Sequence, residues 1–380
     1  LTVRPGRVVA AATALLAALV AAGCGGSGST STGPPSPVPS APRDFYGVAA
    51  NINDVLTPAD YANMQATGVR TLRLIFFWPS IQSSQGAPFD WSSLDAKIEA
   101  AAEHGIRVLP VFIGTPSFLT GCTERNCQVR LPNKTAAGST AWQRFLAAAA
   151  ARYGPQGQFW DEHPDLKPQP VGLWEIWNEE NNFNADGAPR ATPEEFTDLL
   201  RISREALQGV DPHAKTMVGG MFGTPHGSTD PRVTAWGFTQ GLYDAGAAPY
   251  FDAIALHPYA TKVSDIGYQM NKVRRVMDAN GGSDTPIYIT EIGWGSDAAH
   301  VDHEFVTSVA GQAQNLTDAF DLFLANRKRW DLRGVDWFDW RDPPPGKGLC
   351  AFCYSSGLYF NDGTPKPALA AYRRFALAGG

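Results

Sequence analysis

Two apolar runs of this chain end in carboxylates: Trp174-Glu175-Ile176-Trp177-Asn178-Glu179-Glu180-Asn181 and Tyr288-Ile289-Thr290-Glu291-Ile292-Gly293-Trp294. A single Glu at a strand end is commonly a surface or ion-paired residue and points to no reaction. Two that face each other can act together. One carboxylic acid protonates a leaving oxygen while the other, ionised, attacks the acetal carbon; at a separation of about 5–5.5 Å this is the double displacement of a retaining glycosidase.

Such a pair needs a frame that brings distant chain segments together. From Phe45 onward, short β-branched or apolar runs alternate with amphipathic helical stretches, the signature of parallel βαβ units. The runs predict eight strands: Phe45–Ala49, Thr71–Phe76, Arg107–Ile113, Val171–Trp177, Lys215–Gly219, Ala253–His257, Ile287–Glu291 and Gly334–Trp340. Helical spacing is clearest over Pro193–Gln208, Ser264–Ala279 and His303–Lys328. The fold class expected is α/β, a single-domain (β/α)8 TIM barrel. An open doubly wound sheet would want a Gly-rich phosphate loop after an early strand, and none is present. In a closed ring the fourth and seventh strands lie across from each other, and polar residues concentrate at strand C-termini, the face where barrel sites are built.

On these residues the chain resembles glycoside hydrolase clan A over essentially all of Phe45 to Phe375, most closely its family 39 and family 5 groups. Those groups include xylosidases, endoglucanases and exopolysaccharide hydrolases. The resemblance implies that Glu179, preceded by Asn178, is the acid/base and Glu291 the nucleophile. It implies that Arg73 in Leu72-Arg73-Leu74 supports the nucleophile, that His257 and Tyr259 in Leu256-His257-Pro258-Tyr259 flank the sugar, and that Trp340 forms an aromatic floor. Asn178 would bond the sugar 2-hydroxyl, and Arg73 would keep Glu291 charged. Glu179, desolvated beside Glu291, is expected to have a raised pKa. Trp78 and Trp294 are further candidates for lining subsites, with core packing the ordinary alternative. Glu180 should point elsewhere or bind substrate, and Glu175 suits a paired role inside the barrel. The loop string from Asn181 to Asp186 is rich in amides that suit sugar hydroxyls, though Asn and Asp also favour turns.

The first residues read as a targeting segment. Arg4 and Arg7 precede an apolar run from Val8 to Ala22, and Ala21-Ala22-Gly23-Cys24 resembles a bacterial lipobox with Cys24 as the lipidated residue. An ordinary cleaved signal peptide is the alternative. The expected division is residues 1–23 as leader, 24–43 as a Gly/Ser/Thr/Pro tether and 44–380 as the catalytic barrel. Cys122, Cys127, Cys350 and Cys353 suit disulfides in an exported chain, with a closed four-thiolate zinc centre as the alternative. Spacing leaves the connectivity open.

Composition sets the outer limits. The chain has 380 residues, 44% of them hydrophobic and 18% charged, which suffices for a large core and argues against disorder. A net charge of −6 provides no basic footprint, so nucleic acid is not an expected partner. No cofactor is expected. No metal is expected either, because His300-Val301-Asp302-His303-Glu304 lacks the helical spacing of a zinc motif. The implied function is a retaining β-glycoside hydrolase, exported and held at the membrane only through its N-terminal lipid, acting as a monomer on an oligo- or polysaccharide. A transglycosidase using the same residues, or a noncatalytic carbohydrate-binding barrel, are the alternatives.

Overall fold

The structure, a computed structural model, describes residues 41–378 apart from positions 53, 54, 123, 185, 186, 188 and 349. The expected leader, Cys24 and the tether up to residue 40 lie outside the described residues.

Eight parallel strands pair in chain order and close on themselves. They are β1 (Tyr46–Ala49), β2 (Thr71–Phe77), β3 (Arg107–Ile113), β4 (Leu173–Asn178), β5 (Lys215–Phe222), β6 (Ala253–His257), β7 (Ile287–Ile292) and β8 (Leu332–Phe338), with β1 bonded to both β2 and β8. Strands enclosed by helices on one face and by the barrel interior on the other must be apolar on both. β6 is accordingly buried throughout, and β3 is buried from Val108 to Phe112. A smaller apolar cluster of Leu109, Met217, Ala253 and Ala255 belongs to β3, β5 and β6, while the main core packs strands against helices.

The helices begin where the sequence supplies caps. Thr192 and Glu195 form a capping box for the helix Pro193–Gln208, which buries Phe196, Leu199, Leu200 and Leu207. The helix expected from His303 instead begins at Val309, because Ser308 accepts from the Gly311 N–H and so sets the cap there. Residues 303–308 thereby stay in the loop after β7. β8 also differs from expectation. It starts at Leu332 and ends at Phe338, where it pairs with Ala49, the last residue of β1. Beyond that point the Asp339 and Trp340 carbonyls accept from the Leu358 and Tyr359 backbone N–H groups. No described helix is long and apolar enough to cross a membrane.

Candidate active site

β4 delivers its polar residues through an unusual turn. Trp177 and Glu179 have φ of 72° and 52°, the left-handed region that costs a non-glycine residue about 1–3 kcal/mol and that recurs at functional sites. Neighbours hold the turn in place: Trp177 is buried against Trp142, and the Glu179 N–H donates to the Gly220 carbonyl at 3.1 Å. Glu180 then points away into the core. It is fully buried, neither carboxyl oxygen has a hydrogen-bond partner among the described residues, and burial pushes its pKa well above the usual carboxyl range.

Arg73 on β2 ties the site together. Its guanidinium, 1% exposed, donates to both oxygens of Glu175 (2.7 and 2.9 Å), to Glu291 Oε1 (2.6 Å) and to Asn178 Oδ1 (2.7 Å). Burial disfavours this charge, but the Glu175 and Glu291 carboxylates more than restore it. Glu175 thus has the paired interior role its strand position suggested, and also accepts from the Gly220 N–H and the Thr290 hydroxyl. Asp336 on β8 is buried nearby, and desolvation, with Glu175 and Glu291 adding to it against Arg73, raises its pKa well above the usual range. Two glycines are sterically required here. A Cβ on Gly220 would fall 1.9 Å from His257 Nε2, and one on Gly47 would fall 1.9 Å from Asp336 Oδ1.

His257, fully buried at the end of β6, bridges the two carboxylates. Its Nε2 contacts the Thr290 hydroxyl at 3.1 Å, and its Nδ1 lies 3.3 Å from Glu179 Oε1 and 3.6 Å from Glu291 Oε2. Thr290 has one proton and gives it to Glu175, so it must accept from His257 Nε2–H. Nδ1 then meets the Glu179 carboxyl. Tyr259 donates to Glu291 Oε2 at 3.1 Å. Burial raises the Glu179 pKa, but the His257 hydrogen bond and charge, Arg190 at 3.6 Å and the Asn182 amide at 3.2 Å outweigh it and hold the carboxyl below its ordinary value. The elevation expected from sequence is therefore absent. The reason is that cationic and donating neighbours come from other loops and strands.

Both glutamates open into a cleft of about 720 Å³, with side chains 17% and 13% exposed. Asn178, Glu179, Tyr259 and Glu291 line it, while Arg73 and His257 stand behind them. The three tryptophans expected along a sugar do not line it. Trp78, Trp294 and Trp340 are at most 1% exposed, and their indole N–H groups are taken by Gln82 Oε1, the Ala260 carbonyl and Asp60 Oδ1. Trp78 stacks on Phe145 in the outer core. Phe338, the last residue of β8, lines the cleft, whereas Trp340 packs on Tyr359. Of the amide-rich loop, Asn182 lines the cleft. Asn181 is buried, bonding the Phe222 backbone and the Val233 carbonyl.

Arg190 had no sequence signal, since nothing in its spacing from Glu179 distinguishes it from a solvated loop arginine. His303 and Glu304, read only as a weak metal string, line the cleft because the helix after β7 starts late. The cysteines close as two local disulfides, Cys122–Cys127 and Cys350–Cys353, which uses all four thiols and leaves none for zinc. The second bridge forms part of the cleft wall. Donor atoms of Glu179, His257 and Glu291 lie within 4.8 Å of one another, a spacing a cation would accept. Arg73, Tyr259 and Thr290 already engage the Glu291 oxygens and one His257 nitrogen, however, so this set is committed to its neighbours.

No protein-family model matches the chain, and no curated protein matches it. Solved structures do. A family 39 glycoside hydrolase from Bacteroides cellulosilyticus superposes with a TM-score of 0.63 at 19% identity, covering 88% of this chain and 64% of that one. A GH5_18 protein from Streptomyces cattleya, in complex with Manβ1-4GlcNAc, gives 0.66 at 19% identity, covering 89% and 80%. A monomeric β-xylosidase from Caulobacter crescentus gives 0.60 at 17%, covering 88% and 68%. The chain spans less than two thirds of the family 39 protein's length, and 59% and 57% of two other matched structures. At these identities the likeness is one of fold: the chain shares its barrel with glycoside hydrolases.

Proposed function

We propose that the protein is a retaining β-glycoside hydrolase in which Glu291 is the nucleophile and Glu179 the acid/base. The observation that carries this reading is the approach of the two carboxyl groups, with oxygens within 4.8 Å across the mouth of the barrel. Retaining enzymes hold theirs about 5–5.5 Å apart, whereas inverting ones leave about 6.5–9.5 Å for a water.

Each step has a residue for it. Glu291, held by Arg73 and Tyr259, attacks the anomeric carbon from below. The bond from that carbon to the leaving oxygen breaks, and the oxygen takes the proton of the Glu179 carboxylic acid. Water then enters, gives a proton to Glu179 and attacks the same carbon, which releases the Glu291 carboxylate. Asn178 accepts from Arg73 through Oδ1, so its NH2 is the part left for the sugar 2-hydroxyl. A bound substrate displaces water and offers Glu179 an acceptor for its proton, which favours the acid form against the lowering by His257, Arg190 and Asn182.

Oligo- or polysaccharides of β-linked sugars are the substrate class, as the fold likeness to xylan- and mannan-related enzymes supports. Two disulfides suit an oxidising compartment, and Cys24 as a lipid anchor completes an exported protein that acts as a monomer. NMR of early products from an aryl β-glycoside panel tests the reaction. The first sugar released should keep its β configuration, and the Glu291→Gln variant should release none. Initial inversion overturns the double displacement.

A further inference from the structure

The cleft has two unlike parts. Around the carboxylates it is lined by Asn178, Asn182, Arg190 and Tyr259. The rest of the lining is dominated by six phenylalanines, Phe77, Phe183, Phe222, Phe305, Phe338 and Phe352, with His303 packed on Phe305 and Phe352 and with Asn51, Ser80, Gln128 and Glu304 as its other polar members. The chain has eleven Trp and eleven Tyr, yet among the described lining residues Tyr259 is the only one of either kind. The selection is informative. Tyr and Trp combine an apolar face with a polar edge, whereas Phe offers no partner to the hydroxyl rim of a second sugar.

Part of this surface is one continuous wall. Phe222 lies 6.2 Å from Phe305, and Phe305 lies 5.6 Å from Phe352. Tyr259 touches all three rings, at 5.5, 5.8 and 5.0 Å. The wall begins beside the acid. Phe222 follows two residues after Gly220, whose carbonyl holds the Glu179 N–H, and Phe183 follows four residues after Glu179 itself. A leaving group departs on the side of the acid that protonates it. At about 720 Å³ the cleft is within the roughly 300–1,000 Å³ of sites for drug-sized ligands, which leaves room beyond one sugar ring.

We propose that the substrate is a β-glycoside with an apolar aglycone, an aromatic ring or an alkyl chain, lying against Phe222 and Phe305 and departing as an alcohol or phenol. This rests on the glycosidase reading above, keeps its two carboxylates, and departs from it in the leaving group, an apolar alcohol or phenol in place of a second sugar. Aromatic and aliphatic aglycones share the chemistry that such a wall recognises, namely the removal of apolar surface from water.

The test uses the full chain and four β-glycosides of the one sugar cleaved fastest in the aryl panel: methyl, octyl, 2-phenylethyl and a β-1,4-linked disaccharide. The methyl, octyl and 2-phenylethyl groups all leave as simple alcohols, so differences among these three report binding. The octyl or 2-phenylethyl glycoside should exceed the methyl glycoside and the disaccharide by about tenfold or more in kcat/KM, mainly through KM. Which of the two is favoured identifies the aglycone as aliphatic or aromatic. In Phe222→Asn and Phe305→Asn the octyl-to-methyl ratio should fall toward one. A ratio taken within one variant is insensitive to the fraction folded. Equal rates for the methyl, octyl and 2-phenylethyl glycosides, a preference for the disaccharide, or ratios unchanged in both variants overturn the proposal and leave the glycosidase reading intact. If no aryl glycoside is cleaved and 2-deoxy-2-fluoro glycosides do not label Glu291, both fall.

Discussion

Glu179 and Glu180 are adjacent in sequence and chemically identical, and their surroundings separate them completely. Glu179 faces the cleft with His257, Arg190 and Asn182 around it, whereas the Glu180 carboxyl is enclosed with no hydrogen-bond partner among the described residues. Glu179→Gln should lower kcat/KM by about 10²–10⁴ for a substrate with a poor leaving group, the usual worth of a general acid. The loss should be far smaller for a dinitrophenyl glycoside, whose leaving group needs no proton; equal losses on both would place the acid elsewhere. The pH profile has a definite sign. The reactive form of Glu179 is protonated, so kcat/KM falls as pH rises through its free-enzyme pKa. Since that pKa is depressed, the fall comes at acidic pH. Arg190→Gln removes one depressing charge, so the alkaline limb should move to higher pH, measured as kcat/KM across the acid range. A limb that does not move would exclude Arg190 from this role.

At the scale of elements, the loops after β7 and β8 are stitched beneath the cleft by a buried lysine. Lys366 Nζ donates to Asp342 Oδ1 (2.7 Å), the Ser355 carbonyl (2.8 Å) and Ser296 Oγ (3.0 Å). Removing one partner of a buried pair strands the other charge, so Lys366→Met should cost about 3–5 kcal/mol in denaturant unfolding. A change below 1 kcal/mol would mean that Asp342 finds another partner. Trp340 provides a second check. Trp340→Phe should lower stability by about 1–3 kcal/mol through the lost bond to Asp60 and leave KM unaltered. A raised KM with unchanged stability would restore Trp340 to the sugar site.

For the molecule as a whole, the barrel explains how residues 218 positions apart, Arg73 and Glu291, come to share a hydrogen bond. Closure places every strand end on one rim, and loops of any length can then be added without disturbing it. Outside the described residues, anchoring through Cys24 predicts that Cys24→Ser moves the protein from the membrane fraction to the soluble fraction of an expressing cell. Unchanged membrane association would leave the alternatives to lipidation standing.

The sequence by itself determined what depends on local pattern. Alternating strand and helix units, each with its own apolar period, made the barrel legible. Glu179 and Glu291 were legible as candidates because each ends a strand, where the pattern switches from apolar to polar. Other features depended on contacts between segments far apart in the chain, and only the tertiary structure decided them. The pairing of β8 with β1 stops at Phe338, which lines the cleft, while Trp340 is buried. The late helix start at Ser308 brings His303 and Glu304 to the rim. The local closure of both disulfides and the depressed Glu179 pKa belong with these, because a pairing or a charge interaction is a property of positions in space. Residue spacing along a chain carries no record of which distant groups will surround a carboxyl once the barrel closes.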